Sequence, residues 1–486
     1  MKSILLLIAA LQLTPLAVLF AADAPAQRPN ILFIIADDAS SHFGEAYGCK
    51  WVKTPNIDAL ARKGLVFDNA YTPTAKCTPS RSAILTGRNP WQLEDGANHQ
   101  SQFPVKFAAF SEALGQAGIA VGGGGKIWGP GSALTAEGKP RSFGFNAEGK
   151  GKGFEAFLKS RPKGSPFFYW FGSHKPHRSY KADSGIAAGK KVADIDRVPG
   201  IWPDNETVRA DMLDYALEIE GFDEEVGELL QMLEASGEAA NTLVIVTSDN
   251  GMPFPRSKGH NYDISNREPM VVCWPAGIAK PGRRVAEFVS FIDLAPTFLE
   301  LFDVDGTKAG MSPITGRSFA NLLRGEADPS RNSVILGRER NNAKARPGTP
   351  SGLGYPVRAI REGDFFYIHN FAPDRWPCGD PKLGLKDTDH SPTKSLIGDL
   401  GEADRFWQMS FGKRPQVELF DLSKDPDCIH NLADDEAHKA KAAALRGKLF
   451  DELKKQGDPR VLGNGDVFDR YDAPKAGKSK DKDAEG

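Results

Sequence analysis

The sequence predicts an α/β protein with two parts: a large domain built on a mostly parallel sheet flanked by helices, and a smaller C-terminal α+β domain with an antiparallel sheet. Three apolar runs, residues 30–35, 166–171 and 242–247, predict strands of the large domain that are buried on both faces. Between the last two runs, apolar residues three and four apart predict an amphipathic helix: Ile219, Phe222, Val226, Leu229 and Leu233. Buried strands that alternate with helices are typical of a parallel sheet covered on both faces.

The smaller domain is predicted from a change in composition between Arg324 and Pro347, where Gly, Asn, Arg and Pro become frequent. Beyond that point come short strand-like segments at 364–368 and 417–420 and a helical stretch at about 434–456. Short strands followed by a helix indicate an α+β unit that packs on the first domain.

The length of the chain agrees with this division. The protein has 486 residues, and about 150 residues per domain predicts two or three domains. We expect four segments: a signal peptide at 1–24, the large catalytic domain at 28–335, the smaller domain at 336–474, and a disordered charged tail at 475–486. The formal net charge of −2 argues against nucleic acid as a partner, because general capture of DNA or RNA needs a basic surface.

The N-terminus predicts export. Lys2 precedes a mostly apolar stretch at 4–20, and Ala22-Asp23-Ala24 offers small residues for cleavage. An uncleaved membrane anchor is the alternative, but Thr14 and Pro15 interrupt the run and it is short for a spanning helix. We therefore expect a periplasmic or secreted protein with no membrane partner. Its five cysteines are an odd number, so at least one is unpaired within the chain.

Polar residues follow each of the three predicted strands, at the edge where open α/β sheets bind their ligands. They are Asp37, Asp38, His174, His177, Asp249 and Asn250. Carboxylate and amide oxygens are ligands suited to Ca²⁺ or Mg²⁺. Each pair has an ordinary alternative, because Asp-Asp after a strand and Asp-Asn-Gly are also common turn sequences.

The strongest local motif is Cys-Thr-Pro-Ser-Arg at 77–81. Pro79 and Ser80 favour the start of a helix, which places Cys77 at the positive helix N-terminus, a natural site for an anion. Arg81 and Arg88 add cationic groups that suit an oxyanion. A lone cysteine is usually a small buried hydrophobic residue, but five specified positions in a row weaken that interpretation.

Cys-x-Pro-Ser-Arg followed by Leu-Thr-Gly-Arg resembles the signature of the type I sulfatases, within the alkaline phosphatase superfamily. The resemblance extends from Arg28 to the Asn431-Leu-Ala segment. It implies an alkaline phosphatase-like fold and hydrolysis of sulfate esters or sulfamates on a saccharide. It also implies that a formylglycine-generating enzyme converts Cys77 to formylglycine (3-oxoalanine), whose hydrated aldehyde is the nucleophile.

The resemblance further implies a role for each of the strand-end residues. One divalent cation, Ca²⁺ or alternatively Mg²⁺, would be held by Asp37, Asp38, Cys77, Asp249 and Asn250. The sulfate oxygens would be bound by cations at Arg81, Lys126 and Lys258. His177 would bind sulfate and protonate the departing atom, with His174 and Arg178 as further candidates for substrate contact.

One position departs from the family pattern. Where the family commonly has a histidine two residues after the first lysine, this chain has Trp128, which cannot accept a proton. His99 and His260 are candidates to replace that function, and slow turnover is the alternative. Within the family the likeness is closest to the heparan N-sulfatase (sulfamidase) branch, on the segment 247–255, the Pro176-His177-Arg178 tripeptide and the segment 418–426.

Three other functions remain open from the sequence alone. A phosphonate or phosphodiester hydrolase of the same superfamily can share the Cys-x-Pro-x-Arg signature. A zinc phosphatase with two metals is disfavoured, because the strand ends lack a second, histidine-rich metal set. Trp128 also leaves room for a non-catalytic protein that binds sulfated glycans. The disulfide pairing of the other cysteines is likewise open: Cys49, Cys273, Cys378 and Cys428.

Overall fold

The computed structural model describes residues 28–147, 152–349 and 352–471. The predicted signal peptide at 1–24 and the predicted tail at 475–486 lie outside the described residues. Among the described helices, none combines the length and the apolar character that crossing a bilayer requires. All five cysteines lie in the described part, and none of them forms a disulfide.

The described strands are β1 Asn30–Ala36, β2 Leu65–Tyr71, β3 Ser101–Phe103, β4 Ala120–Gly125, β5 Gly131–Ala133, β6 Asn146–Ala147, β7 Phe167–Gly172, β8 Thr242–Ser248, β9 Arg267–Cys273, β10 Arg283–Ser290, β11 Ser333–Arg338, β12 Val357–Glu362, β13 Phe365–Asn370 and β14 Val417–Asp421. The described α-helices are α1 Pro55–Lys63, α2 Cys77–Thr86, α3 Phe110–Gln116, α4 Lys152–Ser160, α5 Ser184–Ala187, α6 Glu206–Ser236, α7 Asp263–Asn266, α8 Leu294–Leu301, α9 Ala320–Leu323, α10 Pro392–Asp399, α11 Arg405–Phe411, α12 Lys439–Lys455 and α13 Val467–Arg470.

The large sheet runs in the order β10-β2-β9-β8-β1-β7-β4-β6. Its central strand β1 pairs in parallel with β7 on one side and β8 on the other, so the three predicted strands are direct neighbours. Only β9 runs against its neighbours within this described sheet. The predicted mostly parallel sheet is confirmed, and its central strands are fully buried because helices cover both faces.

The predicted amphipathic helix is part of α6, which buries Phe222, Val226 and Leu229 against one face of the sheet. Its first turn is capped by Asn205, whose side chain accepts a hydrogen bond from the Val208 amide at 3.0 Å. It stops at Gly237, where φ is +77°, a left-handed conformation that glycine adopts without steric cost. The long helix thereby spans the sheet and packs beside the strand ends.

The smaller sheet is antiparallel, in the order β11-β12-β13-β14, and α12 packs on one of its faces. Its first strand begins at Ser333, so the sheet starts slightly before the boundary placed at 335. The segments predicted at 364–368 and 417–420 are β13 and β14. The helices α10 and α11, which precede β14, share a hydrophobic core with α6 and tie the two parts together.

Candidate active site

The carboxyl ends of β1 and β8 bring the predicted acids together. Asp37 and Asp38 directly follow β1, and Asp249 and Asn250 directly follow β8. The Asp38 amide donates to Asp249 Oδ1 at 3.1 Å, and the Asn250 side chain donates from Nδ2 to Asp38 Oδ1 at 2.8 Å. Asp38 has a φ of +77°, which is uncommon for a residue with a side chain and turns the chain back over the strand end.

These residues form a group of oxygen atoms that fits a hard divalent cation. One ligand atom from each of Asp37, Cys77 and Asp249 lies within 4.8 Å of the other two. The carboxylates of Asp37, Asp38 and Asp249 are all buried. Asn250 Oδ1 is also buried and has no hydrogen-bond partner among the described residues. A buried amide oxygen without a donor beside three carboxylates is what a bound Ca²⁺ or Mg²⁺ would complete.

The nucleophile candidate lies at the N-terminus of α2. Cys77 is the first residue of the helix, follows the extended residue Lys76, and is 1% exposed. Burial raises the pKa of its thiol to about 12, because nearby Lys126 and Lys258 only partly offset desolvation and the charges of Asp37 and Asp249 oppose them. An unmodified Cys77 is therefore a protonated thiol at neutral pH and a poor nucleophile.

Arg81 lies one turn further along α2 and contacts the residues that follow β8 and β4. Its Nε donates to Asp249 Oδ2 at 2.8 Å, and its Nη1 donates to the Lys126 carbonyl. Its Nη2 is buried and makes no hydrogen bond in the described part of the chain. A fixed guanidinium with one donor to spare, beside a helix N-terminus, can bind one oxygen of a tetrahedral anion.

Lys126 follows β4 and is paired with the first acid. Its Nζ lies 2.8 Å from Asp37 Oδ1 and 2.6 Å from Oδ2. Burial would raise the pKa of Asp37, but Lys126, His177 and Arg81 together hold it well below its usual value. The same pairing raises the pKa of Lys126 in spite of desolvation, so both groups stay charged.

Lys258 makes the equivalent pair with the second acid. Its Nζ lies 2.5 Å from Asp38 Oδ2 and 3.0 Å from an oxygen of Asp389. Asp389, which also faces Lys76 at 3.8 Å, comes from the segment between β13 and α10. Sequence analysis missed Asp389, since a single acid in a polar loop carries no recognisable pattern.

The three candidates after β7 have different surroundings. His177 is 40% exposed by side chain, and its Nε2 lies 3.8 Å from Asp38 Oδ2, at the open side of the acid cluster. His174 is exposed and lies on the same loop. Arg178 is instead buried in an ion pair with Asp211 of α6 at 2.8 Å, so its charge anchors the loop rather than facing the cleft.

The two histidines that are candidates to replace the family's base lie in different surroundings. His99 is buried, its Nδ1 lies 2.8 Å from the Asn341 carbonyl, and burial together with Lys76, Lys258 and Lys126 lowers its pKa well below the usual value. His260 lies beside Cys378, with 3.2 Å between Nε2 and Sγ, among arginines outside the acid cluster. Of these two histidines, His99 has the site lysines among the main causes of its lowered pKa, whereas His260 has arginines.

Trp128 packs against α2, the helix that begins with the nucleophile candidate Cys77. Its Nε1 donates to Ser82 Oγ at 2.8 Å, and its ring meets Phe103 edge to face with 5.8 Å between centroids. The indole therefore serves as a packed hydrogen-bond donor. It cannot accept a proton, as the sequence predicted.

A cysteine at a helix N-terminus, surrounded by paired lysines and carboxylates at one sheet edge, is an arrangement suited to binding a tetrahedral anion. Comparison with known proteins specifies the class. The family model for sulfatases matches residues 29–150 and 151–304. The chain belongs to the sulfatase family, and it is a sulfuric ester hydrolase.

Several individual proteins are similar to this chain over most of its length. Human N-sulphoglucosamine sulphohydrolase is 28% identical, covering 92% of this chain and 94% of the human protein. An ulvan-active sulfatase of Formosa agariphila is also 28% identical, covering 90% of this chain and 82% of its own. A solved structure of a protein in complex with its substrate D-glucosamine-2-N,6-O-disulfate has a TM-score of 0.63 at 20% identity. The match covers 89% of this chain and 99% of the chain in that structure. This last likeness supports the fold.

Proposed function

We propose that this protein is an exported sulfatase that hydrolyses sulfate esters or sulfamates of a saccharide with a formylglycine at position 77 and one bound divalent cation. The observation that carries the proposal is the position of Cys77 at the start of α2, with its sulfur within 4.8 Å of ligand oxygens of Asp37 and Asp249. Export rests on the N-terminal sequence. The saccharide class is supported by the activities of the two relatives that are 28% identical to this chain.

The modified residue and the cation would supply the chemistry that the unmodified chain lacks. A formylglycine hydrate offers one hydroxyl to attack sulfur and a second to expel sulfate later, while Ca²⁺ or Mg²⁺ lowers the pKa of a hydroxyl and balances sulfate charge. Asp37, Asp38, Asp249 and the Asn250 amide oxygen would hold the cation. The raised thiol pKa of Cys77 agrees with a nucleophile that must be modified before it reacts.

The chain's own residues bind and orient the sulfate group. Lys126 and Lys258 are each paired with an acid of the proposed cation site, and their ammonium groups would donate to sulfate oxygens. Arg81 Nη2 is a further free donor in the described site. Donors that are already fixed in place favour the transition state, because they need little reorganisation as charge moves.

Protonation of the leaving atom falls to His177. Its side chain is partly exposed and stands at the mouth of the acid cluster, where a saccharide oxygen or nitrogen would depart. A formylglycine-generating enzyme is the maturation partner that the proposal requires. Nucleic acid and membrane are not partners in this proposal, in line with the near-zero net charge and the cleavable leader.

A substrate panel with the matured enzyme tests the proposal. Sulfate release is expected from sulfated mono- or disaccharides in the presence of Ca²⁺, and it should be lost on chelation and regained when the cation is returned. Aryl sulfate and aryl phosphonate esters are run side by side. A preference for the phosphonate, or saturable binding of sulfated glycan without any release of sulfate, would contradict the proposal.

A further inference from the structure

A second cluster of buried cations lies away from the acid site, where the loop after Lys258 meets the smaller sheet. We call the small space inside it the arginine cavity. Its lining includes His260, Asn261, Arg338, Tyr355, Arg414 and Glu418. Each of these residues is at most 9% exposed, so the charges are held in the interior.

The charges around the arginine cavity do not balance. Four buried arginines belong to the cluster, and two of them, Arg338 and Arg414, line the cavity. Arg346 shares the Asp387 carboxylate with Arg338, and Arg256 shares the Met409 carbonyl with Arg414. Guanidinium groups remain protonated in proteins, so this is four positive charges. The cluster contains two carboxylates. Asp387 accepts hydrogen bonds from Arg338 and Arg346, and Glu418 lies in the lining of the cavity. About two positive charges are left without a carboxylate, and an uncompensated buried charge is costly.

Some of that excess is offset by backbone carbonyls. Arg414 donates to the carbonyls of Gln408 and Met409 at the end of α11, and Arg256 donates to those of Met409 and Cys428. These partial charges satisfy donors but do not remove a net charge. Burial and the four arginines also lower the pKa of His260, which keeps its ring neutral.

The lining also carries polar atoms that have no partner in the described structure. Arg338 and Arg414 each leave Nε without an acceptor, and the hydroxyl of Tyr355 makes no hydrogen bond. Both amide atoms of Asn261 are without a partner as well. Native proteins rarely leave several buried donors unmatched around one space, so the cavity needs an acceptor.

The acids at the cavity do not supply that acceptor. Glu418 uses one oxygen on the Tyr262 hydroxyl at 3.0 Å and the other on Asn370 Nδ2 at 2.9 Å. Oδ2 of Asp387 is held by the Arg338 and Arg346 side chains, outside the lining. Arg338, Arg414, Asn261 and Tyr355 thus line this space, and each carries a donor without an acceptor among the described residues.

We propose that the arginine cavity binds a single monatomic anion of the size of chloride, held by Asn261 Nδ2 and the Tyr355 hydroxyl and neutralised by Arg338 and Arg414. The space holds about one water-sized sphere, which excludes sulfate, phosphate and carboxylate ligands. A water molecule would satisfy donors but would leave the two positive charges uncompensated. A small anion does both.

The position of this site gives it a structural consequence for catalysis. Asn261 comes three residues after Lys258, whereas Arg338 ends β11 and Arg414 precedes β14. The anion thereby ties the Lys258 loop to the smaller sheet. The loop is also held by Asn341, whose Nδ2 donates to the Gly259 carbonyl at 2.8 Å. Occupancy of the arginine cavity should therefore stabilise the whole protein and keep Lys258 in place.

Crystals transferred from chloride to bromide test the site directly. We expect an anomalous bromide peak inside the cavity, within contact distance of Asn261 and Tyr355. Crystals of the Asn261→Asp variant should lack this peak, because the variant brings its own negative charge into the same space. A cavity that contains only water, or a peak found solely at exposed lysines, would overturn the proposal by showing an adventitious ion only.

Thermal unfolding gives an independent readout in solution. The apparent Tm should rise saturably with sodium chloride relative to sodium gluconate at equal ionic strength, by roughly 2 °C or more. Asn261→Asp should remove this difference, whereas the same change at exposed Asn464 should leave it intact. If Asn261→Asp does not fold, Tyr355→Phe replaces it and should raise the half-saturating chloride concentration roughly tenfold. Equal chloride dependence in the wild type and in the folded cavity variant would contradict the proposal.

Discussion

Arg81 in the cleft and Arg358 in the smaller sheet are both buried and both bond to carboxylates and backbone carbonyls. They differ in how many of their donors have an acceptor. Arg358 donates from Nε and Nη2 to Asp458 at 2.7 and 2.9 Å, from Nη2 to Glu339, and from Nη1 to backbone carbonyls. Arg81 donates to Asp249 but leaves Nη2 without an acceptor in the described structure. Every side-chain nitrogen of Arg358 therefore has an acceptor, whereas Nη2 of Arg81 is available to an oxygen of a ligand.

The same contrast applies to the acids. Asp458 and Glu339 are matched by arginines alone, so their charges are permanently neutralised. Asp37 and Asp38 are matched by Lys126 and Lys258, single-point cations that can move to another anion. Burial of an ion pair therefore does not mark a functional site. In the cleft an unmatched donor of Arg81 occurs together with the exchangeable cations Lys126 and Lys258, and this combination generates the predictions below.

The largest expected effect is on catalysis at position 77. Cys77→Ala should lower kcat by a factor on the order of 10⁴ or more while the apparent Tm changes little, because the change removes the proposed nucleophile. Cys273→Ala makes the same change at a buried cysteine of β9 and should retain activity. Steady-state kinetics and thermal unfolding measure both quantities. Comparable loss in the two variants would show that Cys77 acts only through packing.

Removal of Arg358 should affect stability instead of catalysis. Arg358→Met leaves Asp458 and Glu339 buried without their cation, which should lower the free energy of unfolding by about 3–5 kcal/mol. The same change at Arg470, whose ion pair with Asp466 is exposed, should cost less than about 0.5 kcal/mol. Denaturant unfolding measures the loss. A large fall in kcat per folded molecule for Arg358→Met would erase the contrast with Arg81.

Lys126→Met should have a somewhat smaller catalytic effect than Cys77→Ala. Loss of one sulfate-binding cation is expected to lower kcat/KM by roughly 10²–10³, since the donor stabilises charge in the transition state. Lys159→Met removes a lysine from an exposed pair with Glu155 and is the matched control, with unchanged kinetics. An activity for Lys126→Met close to that of the control would place the lysine outside the sulfate site.

The smallest effect concerns acid stability in the smaller domain. Burial and Arg446 lower the pKa of His369 to about 4, against 6.5 for an unperturbed histidine. Because the folded protein keeps this ring neutral, its contribution to stability is full above pH 6.5 and is lost as the pH falls toward 4. His369→Gln should flatten the fall in unfolding free energy over that window. His430→Gln, at a side chain 79% exposed, should leave the pH profile unchanged.

Much of the candidate site could be predicted because a parallel sheet imposes its own pattern. Strands buried on both faces must be continuously apolar, so β1, β7 and β8 stand out in sequence, and their polar successors necessarily meet at one edge. The proposed nucleophile, Cys77, is predicted from the Cys-x-Pro-Ser-Arg motif and its family resemblance. Arg178 shows the limit of this inference, since motif position alone did not reveal its burial against Asp211.

Other features depend on contacts that no local pattern encodes. The strand β4 is mostly glycine, which disfavours a strand assignment, yet a side chain at Gly122 would collide with Phe157 and Tyr169. Gly122 is required because aromatic rings pack directly on its backbone, whereas a side chain at Gly125 would collide with the Gly172 carbonyl. Asp389 lies in a loop of the smaller domain, whereas the lining of the arginine cavity includes strand residues of the smaller sheet together with the segment after Lys258. Both sites therefore form only when the two parts of the chain pack together.

The most direct test of the central claim is the mass of the peptide that contains residue 77, measured in the protein after co-expression with a formylglycine-generating enzyme. We predict that the Cys77 thiol is replaced by an aldehyde, and that sulfatase activity across preparations is proportional to the converted fraction. Full sulfatase activity in a preparation where position 77 is entirely unmodified cysteine would contradict it.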